Sequence, residues 1–198
     1  MKIDVSHHQG IINWEELKKS TPELDGVYIK TTQGVGYTDP LCIQHSVGAA
    51  SQKLPVGYYH FASLNTTTDI EKDATSEADY FSLVIKNLRP TTLPLVLDIE
   101  ENKALLTKPQ VLQWINAFFK RLREHGYANV SLYSYTAFLD SNLPPQHNLG
   151  NIPLWIAQYV NKPAPKLPKG WTKAWLWQYS CTGTLPGIKG KVDLNKSL

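Results

Sequence analysis

Leu93-Pro-Leu-Val-Leu-Asp-Ile-Glu100 ends a run of apolar strand formers with two carboxylates two residues apart. In a strand successive side chains alternate between faces, so Asp98 and Glu100 point the same way, roughly 6 to 7 Å apart. Val96 shares their face, whereas Leu95, Leu97 and Ile99 form an apolar row on the other. A strand apolar on both faces suggests a parallel α/β sheet whose outer face is covered by helices. Two acids on one face are also the apparatus of glycoside hydrolysis, one protonated and one ionised. Like charges in one cleft cannot both ionise freely, so one pKa is expected to rise. Taken by themselves, the two acids fit helix capping or pairing with Lys or Arg equally well.

Outward from this segment, short apolar or aromatic runs alternate with amphipathic ones. Eight strands are expected: Lys2 to Val5, Gly26 to Lys30, Val56 to Phe61, Leu95 to Ile99, Val130 to Ser134, Leu154 to Tyr159, Lys173 to Tyr179 and Lys191 to Asp193. The capping-box spacing Thr68-x-x-Glu71 predicts a helix from Thr68, with Ile70, Ala74, Ala78, Phe81, Ile85 and Leu88 on one stripe before Pro90. Thr107-x-x-Gln110, with Pro109 in the first turn, opens a second helix carrying Val111, Ile115, Phe118, Phe119 and Leu122 before Gly126. Shorter helices fit Trp14 to Lys19 and Cys42 to Gln52, and helices thin out after residue 130. The pattern predicts an α/β fold, a reduced TIM-like barrel with an incomplete helical layer, since a full (β/α)8 barrel takes about 250 residues. Asn161 to Gly170, with three prolines and three lysines, reads as a surface loop inside the domain.

With 198 residues, 42% hydrophobic and 19% charged, the chain can bury one sizeable core, so a single domain over residues 1–198 is expected. The net charge of +3 suits an anionic surface such as a bacterial wall but is too weak to argue for nucleic-acid binding. Cys42 and Cys181 have no metal-ligand spacing and are expected to be free, buried thiols. His7 and His8 are adjacent and make a poor metal pair, and Gly34-Val-Gly36 lacks the third glycine of a dinucleotide loop. Met1 to Val5 run directly into a strand, so no secretion signal is expected, and no run approaches membrane-spanning length.

At the carboxyl ends of parallel barrel strands, where reactive groups gather, stand Asp4, Lys30, Tyr59, His60, Asp98, Glu100, Tyr133, Tyr135, Gln158, Tyr159, Gln178, Tyr179 and Asp193. Asp4 and Asp193 lie on the first and last strands, which become neighbours when a barrel closes. Tyr59, Tyr133 and Trp155 are candidate sugar-stacking walls, with core packing the competing reading for Tyr133 and the stronger one for Trp155. Lys30 and Gln158 complete the expected substrate-binding set. His60 alternates with Tyr59 and reads equally as a core histidine.

The chain resembles the glycoside hydrolase family 25 lysozymes, the muramidases that include many phage endolysins. The resemblance rests on an ordered set: Asp4-Val-Ser-His-His-Gln-Gly10, Val27-Tyr-Ile-Lys-Thr-Thr-Gln-Gly34 with Gly36-Tyr-Thr-Asp-Pro40, Gly57-Tyr-Tyr-His-Phe61, Leu95-Val-Leu-Asp-Ile-Glu100, Leu154-Trp-Ile-Ala-Gln-Tyr159, Trp177-Gln-Tyr-Ser180 and Val192-Asp-Leu-Asn195. It implies a (βα)5β3 barrel, Glu100 as acid/base, Asp98 as its partner, and Asp4 and Asp193 as supporting acids. The implied reaction is cleavage of the β-1,4 bond between N-acetylmuramic acid and N-acetylglucosamine in peptidoglycan, with retention and help from the substrate's 2-acetamido group. No metal or other cofactor is implied. A monomer that neither binds nucleic acid nor inserts into a membrane is expected. It would reach the wall through a membrane lesion or another export route, or as a domain of a longer secreted or phage protein.

Three other functions compete. A chitinase-like barrel, or another N-acetylglucosaminidase, would also end a strand in Asp-x-Glu, but the chitinase pattern needs further aspartates where Leu93 and Val96 stand. A noncatalytic wall-binding module would keep the aromatics and could lose the acids, none of which is lost. A metal-dependent amidase would need a His/Asp/Cys ligand set that the sequence does not assemble.

Overall fold

The computed structural model describes all 198 residues. The strands are β1 (Lys2–Val5), β2 (Gly26–Gln33), β3 (Tyr37–Thr38), β4 (Val56–Phe61), β5 (Leu95–Asp98), β6 (Val130–Tyr135), β7 (Leu154–Ala157), β8 (Leu176–Gly183) and β9 (Val192–Ser197). The helices are α1 (Trp14–Ser20), α2 (Cys42–Ser51), α3 (Ile70–Ile85), α4 (Lys108–Glu124) and α5 (Thr136–Asn142). Eight strands close into a barrel in the order β1-β9-β8-β7-β6-β5-β4-β2, with β2 pairing back onto β1. Every pairing in the ring is parallel except those of β9, which runs antiparallel to both β8 and β1. Five βα units followed by three helix-free strands make the (βα)5β3 arrangement, and β3 adds only a two-residue hairpin on β2.

The alternation read in β5 organises the whole barrel. Leu95, Leu97 and Ile99 join the outer core beneath the helices, while Val96 points inward to a small cluster with Tyr28, Tyr133, Trp155, Ala157 and Leu176. The interior floor is therefore aromatic: Tyr28 and Trp155 lie 4.7 Å apart, and Tyr133 meets Trp155 edge-on at 4.8 Å. Gly57 stands opposite Tyr28 in the β2–β4 register and makes room for its ring. A Cβ there would fall 2.2 Å from Tyr28 Cε1. Outside, α3 and α4 pack His60, Phe81, Phe118 and Trp114 into a continuous stack against β4.

α4 opens on Thr107 and Gln110 with both arms of the capping box formed. α3 starts two residues later than its sequence suggests. Thr66 and Thr68 bond each other in a local turn, Asp69 takes a left-handed conformation (φ 53°), and no side chain caps Ile70. α5 and the short β3 are unannounced in the sequence, because α5 follows directly on β6 with no side-chain cap at its start and β3 is only two residues long. β7 stops at Ala157 rather than Tyr159 and β8 begins at Leu176 rather than Lys173, whereas β2, β8 and β9 run past their expected ends. The Asn161 to Gly170 loop has no regular structure and is pinned to the top of the barrel, Thr136 donating to the Lys166 carbonyl and the Lys169 N–H to Asp140. Cys42 is buried as expected, but Cys181 is exposed, because β8 runs past the barrel wall there. No helix is long and apolar enough to cross a membrane.

Candidate active site

A cleft of about 290 Å³ opens at the carboxyl ends of the parallel strands. Asp4, Asp98, Glu100 and Asp193 all line it, with Lys30 the one lysine or arginine among the lining residues. Each acid arrives by strand parity. Asp4 and Asp193 are direct cross-strand partners at the β1–β9 seam, and Asp98 closes β5. The chain stays in register one residue past β5, the Ile99 N–H donating to the Tyr133 carbonyl, so Glu100 projects into the cleft as an extended residue would.

The carboxyls form two pairs, each within hydrogen-bond reach: Asp98 with Glu100, and Asp4 with Asp193. Burial raises the pKa of all four. The Glu100 charge raises Asp98 further, Lys30 opposing, and the Asp193 charge raises Asp4 against the amides of Asn195 and Gln178. Glu100 is raised by burial and by the charges of Glu101 and Asp193, with the contact from Asp98 and the charge of Lys30 pulling the other way. Burial and the neighbouring negative charge thus favour retention of a proton within each pair. Asp98 Oδ1 is buried and receives no donor from the protein.

Asp4 is held by a directional network. Gln178 Nε2 donates to Asp4 Oδ2 at 3.0 Å and Asn195 Nδ2 donates to the same oxygen at 2.8 Å. Tyr133 and Tyr159 donate to Gln178 Oε1 at 2.8 and 2.6 Å, and Trp155 Nε1 to Asn195 Oδ1 at 2.8 Å. Both amides are thereby fixed in the orientation that presents N–H to the carboxylate. Lys30 bonds Gln33 at 2.8 Å and lies 4.8 Å from the Phe61 ring centre.

Of the residues expected to bind substrate, Lys30, Tyr59, Tyr133 and Trp155 line the cleft. Trp155 does so as its floor, 2% exposed. Gln158 does not line it. Trp155 and Ala157 take the inward positions of β7, and the Gln158 carboxamide accepts the Lys166 N–H instead. Gln178 occupies the place given to it, and its parity with Leu176 was the available signal. Val5, Ser6, His8, Gln9, Phe61, Tyr159 and Cys181 complete the lining. His60 faces outward, fully buried between Thr32 and Glu77 at 2.8 and 2.7 Å, and has no access to the cleft.

The sequence profile of the Glycosyl hydrolases family 25 matches residues 3–188. The chain belongs to glycoside hydrolase family 25. Lysozyme M1 of Streptomyces globisporus is 33% identical to this family 25 domain over 204 residues, covering 98% of the chain and 66% of that protein. The autolytic lysozyme of Clostridium acetobutylicum is 31% identical over 198 residues, covering 98% of the chain and 54% of its own length. The domain thus spans between about half and two thirds of these curated relatives. Among solved structures, the bacterial lysozyme of Streptomyces coelicolor superposes with a TM-score of 0.86 at 33% identity, covering 99% of this chain and 90% of that one.

Proposed function

We propose that this domain is a muramidase that cleaves the β-1,4 bond between N-acetylmuramic acid and N-acetylglucosamine in bacterial peptidoglycan, retaining the anomeric configuration. The observation that carries this reading is the Asp98–Glu100 carboxyl pair, within hydrogen-bond reach of each other and both with raised pKa, set in an acidic cleft with an aromatic floor. Glu100 gives its proton to the glycosidic oxygen as the bond to C1 breaks. The substrate's acetamido oxygen attacks C1 from the opposite face and closes an oxazolinium ion. Asp98, ionised once Glu100 holds the proton, accepts the acetamido N–H and stabilises the positive ring. Its buried, undonated Oδ1 fits that role. Water then attacks C1 with Glu100 as the base, the acetamide re-forms, and Glu100 regains its proton. Asp4 and Asp193 keep the site's potential negative, which favours the cationic intermediate and a protonated Glu100. The domain is read as acting on the wall as a monomer, without membrane insertion or nucleic acid.

The test is mass spectrometry of peptidoglycan fragments whose new reducing ends are labelled with borohydride, comparing wild type with Glu100→Gln. Muramitol ends from wild type, and turnover lower by ~10² to 10⁴-fold in the variant, are expected for loss of a general acid/base. Glucosaminitol ends would reverse the bond specificity, and near-normal turnover in the variant would remove Glu100 from its role.

A further inference from the structure

Charge is not spread evenly along this chain. Residues 1–140 hold 13 Lys+Arg against 16 Asp+Glu, whereas residues 141–198 hold seven lysines and a single acid, Asp193. The two parts carry net charges of −3 and +6. All seven of those lysines are exposed, and none makes an ion pair. In the first part, by contrast, Lys2, Lys103 and Arg121 are paired with acids. Unneutralised like charges repel one another, and a fold that only needed solubility would intersperse acids among them.

The topology brings four of these lysines to one bank of the cleft. Lys162 follows the cleft-lining Tyr159 by three residues. The backbone of Lys166 is tied down on both sides of its Cα, its N–H donating to Gln158 and its carbonyl accepting from Thr136, so the loop is held at the top of β6 and β7. Lys189 and Lys191 belong to the β8–β9 hairpin, which is anchored beside the cleft by Gln9 Nε2 donating to the Lys191 carbonyl at 3.0 Å. On the other bank, Glu101 and Lys103 neutralise each other at 2.6 Å, and His7 is taken up by Asp39. The cleft itself is acidic, so an anion attracted to this bank stays outside the sugar pocket.

We propose that Lys162, Lys166, Lys189 and Lys191 dock the carboxylates of the peptide stem carried by the muramic acid in the cleft, an assignment that rests on the muramidase reading. The stem is joined covalently to the sugar ring next to the scissile bond, so seating that sugar brings the stem to the rim. An extended peptide advances about 3.3 to 3.6 Å per residue, which puts the first stem carboxylates within about 10 Å of the ring. That is about one Debye length at moderate salt, close enough for exposed ammonium groups to act. A diaminopimelate-type stem carries several carboxylates against a single amine and complements this bank.

The test compares two soluble substrates free of teichoic acid: glycan strands bearing diaminopimelate-type tetrapeptide stems, and the same strands after an amidase has removed the stems. Wild type is expected to show the lower KM on stem-bearing strands, and salt is expected to erase the difference. Lys162→Glu/Lys166→Glu/Lys189→Glu/Lys191→Glu should raise KM on stem-bearing strands on the order of tenfold, the size expected of four exposed charge contacts. Its kcat, and its KM on stem-free strands, should stay within about twofold of wild type. The corresponding Lys→Gln set should give a smaller change in the same direction, and serves if the reversed set fails to fold. Equal KM for wild type on the two substrates, or an equal rise on both in the variant, would overturn the proposal. So would a lysine effect that appears only on walls retaining teichoic acid. A wild type that cleaves neither substrate would overturn the muramidase reading and this assignment with it.

Discussion

The pKa of Glu100 is raised by what surrounds it: burial first, then the negative charges of Glu101 and Asp193 acting against Asp98 and Lys30. Asp193→Asn removes one of the charges that keep the proton on, so it should lower the Glu100 pKa. The alkaline limb of the kcat/KM profile is then expected to move to lower pH. A lower kcat with an unmoved limb would leave Asp193 a structural role only. Legibility at this scale followed parity. Asp98 and Glu100 could be read from spacing alone because their strand is apolar on both faces, leaving no doubt which residues share a side. Gln158 and Gln178 looked equivalent, each preceding a tyrosine at the end of a Trp-containing strand. Only the inward turn of Trp155 separates them, and Trp-Ile-Ala is equally apolar in either register.

Between β4 and α3, His60 and Glu77 form a buried pair with one proton between them, whichever of the two holds it. Burial pushes His60 down to about 3 from 6.5 and Glu77 up to about 8 from 4.5. Above 6.5 the unfolded chain has lost both protons while the folded pair keeps one, so stability falls as pH rises toward 8. Below 4.5 the unfolded chain binds two protons against one, so stability falls as pH drops toward 3. Between those values the proton counts match and this pair contributes no slope. In a thermal-denaturation series compared with wild type, Glu77→Gln should therefore remove this pair's loss on the alkaline side, above about pH 6.5. An unchanged alkaline slope in that variant would assign it to other groups. β2 and β4 meet at a second tight point, where Gly57 accommodates Tyr28. Gly57→Ala forces that ring toward Trp155 and should cost about 1 to 3 kcal/mol. For a domain of this size that is roughly a 2 to 4 °C fall in Tm per kcal/mol. A melting point within error of wild type would mean that the floor yields more easily than its packing implies. Elements were legible by their stripe and their caps: α4 declared itself by both, while α5 opens on Tyr135 with no side-chain cap to mark its start.

At the scale of the molecule, the eight barrel strands and the missing helices after β7 followed from the alternation of short apolar runs with amphipathic ones. The direction of β9 did not, because nothing in Val192 to Ser197 distinguishes a strand entering from the top of the barrel from one entering at its base. That direction decides how the ring closes. β9 fills the gap between β8 and β1, and through it Asp4 meets Asp193 and Asn195, the latter 191 residues away along the chain. Contacts at such separation form late, after the loop entropy of nearly the whole chain has been overcome. The helical layer, built from neighbours in sequence, can form first. On dilution from denaturant, far-UV helical signal should recover before catalytic turnover, and simultaneous recovery would contradict this order. The two acid pairs thus differ in what they require: Asp98 and Glu100 stand two residues apart on one segment, whereas Asp4 meets Asp193 only once β9 has closed the ring.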